Sequence, residues 1–189
     1  MITSLDASVV FITPDAATTT ATVGTGSSRG PVDNLIDGIT DSSSGQSVFF
    51  PTASNTFPVT ISFEFNADQN VNGFRLWNGW SSPGNAIANF DLTFRDDMGA
   101  ILDSFSGTGT QPVGIAAPTD FDNFLFSEVA NVSTVDLTIT TVIGAAGPEF
   151  REVAFSTTPV PEPSSTVLLG VFGLFLAGIR KRINPKQSA

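Results

Sequence analysis

A proline-containing break followed by an apolar run sets the limit of the foldable domain in this chain of 189 residues. Pro161 and Pro163 lack a backbone N–H and fix φ, so neither a helix nor a central strand continues through them. The run from Val167 to Ile179 carries neither a charge nor a hydrogen-bonding side chain, and residues 180–182 read Arg-Lys-Arg. The folded part is therefore predicted to end near Thr158.

The apolar run is predicted to form a short transmembrane helix. Its uncharged stretch, from Ser164 to Ile179, is somewhat shorter than the roughly 20 residues of a full span. Snorkelling of the basic side chains of Arg180, Lys181 and Arg182 extends its reach and places that end on the cytoplasmic side. The alternatives are an ordinary tail anchor and a buried C-terminal helix.

The order of these features resembles the PEP-CTERM sorting signal. The residues that carry the resemblance are Val160, Pro161, Glu162 and Pro163, the apolar helix, and the basic residues 180–182. It implies export in a Gram-negative bacterium, transient anchoring in the inner membrane, processing by an exosortase near the Pro-Glu-Pro motif, and delivery to the cell surface or an exopolysaccharide matrix. Residues 1–14 show no recognisable signal peptide, so we expect the true start of the gene product to lie upstream of Met1. The alternative is that the protein, as given, is not exported.

Composition excludes several classes of function. The chain has 18 acidic and 8 basic residues, and four of the basic ones lie in the last ten positions. The acidic remainder disfavours nucleic acid and suits divalent cations or neutral glycans. Cys, His and Tyr are absent, which removes disulfides, thiolate nucleophiles and the commonest general base.

Alternating hydrophobicity predicts an all-β fold. Val59, Ile61, Phe63 and Phe65 alternate with polar residues, and the segment from Phe90 to Phe94 repeats the pattern. Short strands separated by turns, without helical periodicity, indicate an antiparallel jelly-roll β-sandwich followed by one short transmembrane helix. The predicted divisions are an N-terminal segment (1–14), the sandwich (15–157), a Pro-Glu-Pro linker (158–166), the sorting helix with its basic stop (167–182) and a tail (183–189).

A series of short motifs resembles the discoidin-type, or galactose-binding-like, domain. In order, the motifs are Asn34-x-x-Asp37-Gly38, Phe49-Phe50, Val59 to Phe65, Val71 to Trp77, Ile87 to Phe94 and Glu152 to Phe155. The chain departs from the pattern at Phe49-Phe50, where many members carry a tryptophan.

This resemblance implies a structural Ca²⁺ site where the first loop meets the last strand. Its ligands would be the carboxylates of Asp37 and Glu152, the main-chain oxygens of Asn34 and Ile39, and the hydroxyl of Ser42. Calcium prefers such a set of oxygen ligands. The alternative is that Asp37 forms an Asx turn and Glu152 is a surface residue of a strand.

The segment from Trp77 to Asn85 is the candidate ligand loop, because it holds both tryptophans. Trp77 and Trp80 could stack on a sugar ring while Asn78 and Asn85 bind its hydroxyls; alternatively, Trp77 belongs to the core.

The predicted function is therefore glycan binding, and the alternative is a structural matrix protein without a specific sugar ligand. We expect no enzyme; a glycan hydrolase using the pairs Asp96-Asp97 or Asp120-Asp122 is the remote alternative.

Overall fold

A computed structural model describes residues 19–25, 28, 30–40, 47–50, 57–78, 85–110, 121–144 and 147–159. Seven strands and one short 3-10 helix make up these ranges. The strands are β1 (Thr19–Thr25), β2 (Val48–Phe49), β3 (Val59–Asn78), β4 (Ile87–Arg95), β5 (Ile101–Thr108), β6 (Asp122–Val142) and β7 (Glu149–Pro159), and the 3-10 helix is Val32–Leu35. All strand pairs in this part of the chain are antiparallel.

Two long strands bend and contribute one half to each layer of a sandwich. Residues 59–64 of β3 pair with β1 and with the second half of β6, which also pairs with β4. Residues 69–78 of β3 pair with β7 and with the first half of β6. Register shifts between Glu64 and Gly73 mark the bend, as expected where strands pass from one sheet to the other. The first layer is thus β1–β3–β6–β4–β5, and the second is β2–β7–β3–β6.

Phenylalanines join the two layers. Phe63 of the first layer lies 5.7 Å from Phe155 of the second, measured between ring centroids. Phe74 and Phe90 make a second contact across the layers, at 5.4 Å. Edge and tilted ring packing of this kind adds about 0.5–1.5 kcal/mol per pair beyond the burial of area. The side chains predicted to face the core, at 59, 61, 63, 90, 92 and 94, are buried.

The predicted antiparallel β-sandwich is confirmed. The compact unit ends at Pro159, next to the predicted end at Thr158. No helix in the described ranges has the length and apolarity to span a bilayer. The predicted membrane helix at 167–182, the linker residues from Val160 onward and the N-terminal segment lie outside the described residues.

Candidate functional site

Asn78 ties together three chain segments at one end of the sandwich. Its Nδ2 donates to the carbonyl oxygens of Ile87, at 2.9 Å, and Thr110, at 3.1 Å, and its Oδ1 accepts from the Ile87 N–H at 2.7 Å. Only 3% of the residue is exposed. These bonds hold the end of β3 against the start of β4 and the end of β5. We call this end of the sandwich, where β3 and β5 end and β4, β6 and β7 begin, the loop end.

A buried carboxylate holds three further segments at the loop end. Glu149, at the start of β7, is 5% exposed. Its Oε1 accepts from the Ser47 hydroxyl at 3.1 Å, and its Oε2 accepts from Asn85 Nδ2 at 3.0 Å. The residue before β2, the end of the candidate ligand loop and the last strand are thereby fixed to one another.

The base of the β5–β6 connection is also closed by side-chain bonds. The Thr110 N–H donates to Asp122 Oδ2 at 2.7 Å, and the Thr110 hydroxyl donates to Asp122 Oδ1. These bonds join the residue two positions after β5 to the first residue of β6. This bonding gives Asp122 a structural role, and Asp120, the other member of the predicted carboxylate pair, lies outside the described residues.

Trp77 packs against a cation and a second aromatic ring beside the loop end. Its ring centroid lies 5.5 Å from that of Phe121, and the Arg75 guanidinium carbon lies 4.1 Å from the Phe121 centroid. Arg75 Nε donates to Asn123 Oδ1 at 2.7 Å, which orients the guanidinium group. Trp77 is 5% exposed, so the alternative placement, in which Trp77 is buried, is the one observed.

The structure describes three of the four predicted ligand residues, Trp77, Asn78 and Asn85. The placements of Trp77 and Asn78 are at odds with direct sugar contact, because one is buried and the amide of the other is engaged by backbone groups. They support the loop end instead. Asn85 is half-buried at the end of the loop and bonds Glu149. Trp80 lies outside the described residues.

The loop after the 3-10 helix meets β7 where the carboxyl groups of Asp37 and Glu152 lie close together, and we call this place the Asp37–Glu152 site. Glu152 is fully buried, which excludes the alternative that it is a surface residue. Its Oε1 accepts from the Gly38 N–H at 3.3 Å, and Gly38 has a φ of 81°, a conformation that favours glycine. Asp37 Oδ1 accepts from the Ile39 N–H at 2.8 Å, which is the predicted Asx-type turn.

The pKa of Glu152 is raised to about 9, mainly by burial and further by the nearby charge of Asp37, while the hydrogen bond from the Gly38 N–H acts in the opposite direction. Glu152 Oε2 is buried and has no hydrogen-bond partner within the described ranges. A buried carboxyl oxygen without a partner, facing a second carboxylate, fits a cation in chemical terms.

The remaining predicted calcium ligands are placed only in part. Asn34 lies in the 3-10 helix and Ile39 in the turn after it. Ser42 lies outside the described residues. No group of three or more Asp, Glu, His or Cys side chains suited to a metal occurs in the described ranges.

Arg151 and Glu149 were missed by the sequence reasoning. Arg151 is fully buried, and its Nη1 donates to the Thr40 carbonyl at 2.8 Å, which attaches the loop after Asp37 to β7. The run Glu149-Phe-Arg-Glu152 has no alternation, because β7 is buried on both faces. The one signal in the sequence is that three charged residues, Glu149, Arg151 and Glu152, lie close together in a single strand.

Comparison with known proteins supports both halves of the sequence reasoning. The family profile described as the PEP-CTERM protein-sorting motif matches residues 159–182. A comparison with curated protein sequences gave no match.

Solved carbohydrate-binding structures share the sandwich fold. The family 32 carbohydrate-binding module of Clostridium perfringens NanJ, solved with galactose, superimposes with a TM-score of 0.59 at 14% identity, over 72% of this chain and 92% of that one. The family 32 carbohydrate-binding module numbered 3 in a family 31 glycoside hydrolase of Clostridium perfringens gives a TM-score of 0.61 at 13% identity, over 78% of this chain and 95% of that one. A fucose-binding module of Streptococcus pneumoniae gives 0.55 at 13% identity, over 74% and 91%. The chain thus joins a β-sandwich with the discoidin-type fold of family 32 carbohydrate-binding modules to a PEP-CTERM protein-sorting motif.

Proposed function

We propose that this protein is an exported, exosortase-sorted protein of the cell surface or extracellular matrix whose β-sandwich binds glycan at the loop end. The observation that carries the proposal is the combination of a carbohydrate-binding-module fold with a PEP-CTERM motif in one chain. The fold alone does not define a ligand, since one fold hosts many functions. The residues of the loop end supply the rest of the support.

The loop end is suited to ligand binding because its loops begin and end on fixed points. Asn78 and Glu149 are both buried and both bond to residues in other segments. Loops whose ends are fixed lose less conformational entropy when a ligand orders them. Trp80 then supplies the flat apolar face on which a sugar ring stacks, and the half-buried Asn85 supplies polar groups beside it.

The Asp37–Glu152 site is proposed to hold a structural calcium ion. The carboxylates of Asp37 and Glu152 would bind it together with the main-chain oxygens of Asn34 and Ile39 and the Ser42 hydroxyl. When bound, the ion supplies positive charge that compensates two neighbouring carboxylates. The bond from Arg151 to Thr40 already holds this loop on β7, so the protein presents the two carboxylates together.

The carboxyl-terminal region is proposed to direct sorting. Pro161, Glu162 and Pro163 mark the region that the exosortase processes, and the apolar helix holds the chain in the inner membrane until then. The basic residues 180–182 remain on the cytoplasmic side. Delivery to an envelope rich in exopolysaccharide would bring the loop end to its ligand.

A glycan array probed with the parent protein and with Trp80→Ala tests the binding activity. We expect binding by the parent and its loss in Trp80→Ala, with Met98→Ala as the control, because Met98 is 88% exposed and lies in the β4–β5 turn, away from the loop end. A parent protein that binds no glycan would favour the alternative of a structural matrix protein.

Cell fractionation tests sorting separately. A chain expressed with an added signal peptide should leave the cytoplasmic membrane after processing. A Glu162→Ala variant should accumulate there at full length. If both chains remain equally in the membrane, the segment is a plain tail anchor.

A further inference from the structure

β5 forms one edge of the first layer. It pairs with β4, and no other strand in the described ranges pairs with it. Just beyond β5, the Gly109 N–H donates to the Ala88 carbonyl at 2.9 Å. Backbone groups alternate in direction along a strand, so the N–H and C=O groups of Ser104, Ser106 and Thr108 point away from β4. β5 therefore presents these groups to a strand that approaches the edge.

The side chains of β5 leave room for such a strand. The residues with outward backbone groups, at 104, 106 and 108, carry small hydroxyl side chains, and the Ser106 hydroxyl donates to Asp91 of β4 at 2.6 Å, across its own sheet. Edge strands that avoid pairing commonly carry Lys, Pro or several charges. β5 has neither Lys nor Pro, and Asp103 is its one charged residue. The edge is therefore suited to pairing.

Apolar side chains accompany this edge. The ring of Phe105 lies 5.0 Å from that of Phe126 and 6.1 Å from that of Phe124, measured between centroids, and all three residues are half-buried. Phe124 and Phe126 belong to the first half of β6, which is the neighbouring edge of the second layer among the described strands. Ile101 and Leu125 are 63% and 59% exposed. Covering this side of the sandwich would remove apolar area from water.

A second copy of this chain meets the requirements of the edge. The chain carries 18 acidic and 8 basic residues, so two copies repel each other wherever their carboxylates meet, and β5 brings only Asp103 to such a contact. Antiparallel pairing about a twofold axis at Ser106 sets Ser104 opposite Thr108 of the second copy and Ser106 opposite its counterpart. About six hydrogen bonds result. Each Asp103 then lies opposite Gly109 of the second copy, away from the other Asp103.

We propose that two copies of the sandwich associate into a dimer through antiparallel pairing of their β5 strands, centred on Ser106. The half-buried rings of Phe105, Phe124 and Phe126 then lie at the junction of the two copies. A twofold interface of this kind uses the same surface on both copies, so association stops at two.

The pairing also sets the direction of the two loop ends. β5 ends at the loop end, and antiparallel strands run in opposite directions, so the loop ends of the dimer face away from each other. What the dimer does with them rests on the proposed glycan binding. Two opposed binding ends join two polysaccharide chains rather than bind one chain at two points, and the dimer then cross-links the matrix.

Asp103 weakens this association in the parent chain. Its Oδ1 accepts from the Ser104 N–H at 2.8 Å, and Ser104 is one of the residues whose backbone groups point outward. Pairing must replace this bond with one to the second copy, and it also brings two carboxylates into one interface. Asp103→Ala should therefore tighten the dimer several-fold.

Sedimentation velocity of the full chain, in a non-ionic detergent and over a range of protein concentrations, tests the dimer. Ser106→Pro removes the outward N–H at the centre of the interface, a position where an edge strand tolerates proline. Ser106→Ala is the matched control, because it also loses the bond to Asp91 but keeps the N–H. We expect dimers of the parent and of Ser106→Ala, and a dissociation constant raised roughly 10- to 100-fold in Ser106→Pro.

Three results would overturn the pairing. They are a parent chain that stays monomeric at every concentration, an association equally strong in Ser106→Pro, and a loss of dimers in Ser106→Ala as large as in Ser106→Pro. Circular dichroism checks that Ser106→Pro is folded. If it is not, Asp103→Ala decides the question, because a dimer no tighter than that of the parent contradicts the proposal.

Cysteine cross-linking tests the register, because the chain contains no cysteine. Ser106→Cys places two thiols in directly opposed positions, with Cα atoms about 5.5 Å apart, a separation that a disulfide spans. Ser104→Cys is the control on the same strand, because its counterpart lies about 13 Å away along the strand. Mild oxidation should cross-link Ser106→Cys into dimers and leave Ser104→Cys largely monomeric. Equal cross-linking at both positions, or a preference for position 104, contradicts pairing centred on Ser106.

Light scattering from exopolysaccharide solutions separates this inference from the proposed function. The parent should raise the scattering by joining polysaccharide chains, whereas Ser106→Pro should bind the polysaccharide without raising it. Dimers that do not bind polysaccharide leave the strand pairing intact and contradict glycan binding. Monomers that bind it contradict the strand pairing and leave glycan binding intact.

Discussion

Calcium should stabilise this protein through Glu152, and its affinity should depend steeply on pH. The carboxyl of Glu152 has a pKa raised to about 9 by burial, so in the absence of a cation it is protonated at neutral pH. A carboxylate must lose its proton to bind a metal ion. Calcium therefore competes with one proton at the Asp37–Glu152 site.

The size of the effect follows from this competition. At pH 7, about two units below the pKa, the apparent affinity is reduced about 100-fold, and at pH 8 about tenfold. Affinity should therefore rise about tenfold between pH 7 and pH 8. A calcium concentration 100-fold above Kd stabilises the native state by about 2.7 kcal/mol. For a domain of this size the melting temperature should rise by about 5–10 °C.

Thermal unfolding followed by circular dichroism, with calcium or with EGTA, measures the effect. Glu152→Gln keeps the shape of the side chain but removes the carboxylate, and it should abolish the shift. Glu64→Gln is the matched control, because Glu64 is an exposed carboxyl on β3. A melting temperature unaffected by calcium in the parent would refute the metal site. A shift with the same calcium dependence at pH 7 and pH 8 would refute the role of Glu152.

Three further predictions concern stability. Without a divalent cation, the raised pKa of Glu152 means that the native state holds the proton of this carboxyl more tightly than the unfolded state does. The stability that this proton contributes is present below about pH 4.5 and is lost as the pH rises towards 9, at about 1.4 kcal/mol per pH unit. Urea unfolding in EDTA at pH 6 and pH 8 should show this slope in the parent, and Glu152→Gln should flatten it. Asn78→Ala should cost about 2–4 kcal/mol in urea unfolding, because it leaves the buried N–H and carbonyl of Ile87 without their partner. The exposed Asn123→Ala should cost less than about 1 kcal/mol by the same measurement. Gly107→Ala should cost about 1–3 kcal/mol by the same measurement, because its Cβ would overlap the ring of the buried Phe90; an unchanged urea midpoint would contradict this packing.

Strands with one buried face show it as alternation in the sequence, whereas β7, which was expected from the motif Glu152 to Phe155, does not alternate. The segments 59–65 and 90–94 alternate in the sequence, and their buried side chains follow that alternation. In the sequence, polar residues divide the two apolar segments of β6, 124–126 and 135–139. In the structure both segments belong to one strand of 21 residues, which bends near Asn131, a residue with a φ of 59°. β7 is buried on both faces and so lacks any period.

The proximity of Asp37 and Glu152 was predictable from the sequence, and the hydrogen bonds of Asn78 were not. Asp37 and Glu152 were identified from a resemblance, and the structure brings them together although they are far apart in the chain. Asn78 was predicted to bind sugar. Its partners Ile87 and Thr110 lie 9 and 32 positions away, so no local pattern could show that its amide was already engaged.

The most direct test of the central claim is affinity electrophoresis of the sandwich through gels containing exopolysaccharide. The account predicts that the parent protein is retarded relative to a gel without polysaccharide, that Trp80→Ala migrates freely, and that Met98→Ala is retarded like the parent. Equal mobility of the parent with and without polysaccharide, across neutral and acidic polymers, would contradict glycan binding by this domain.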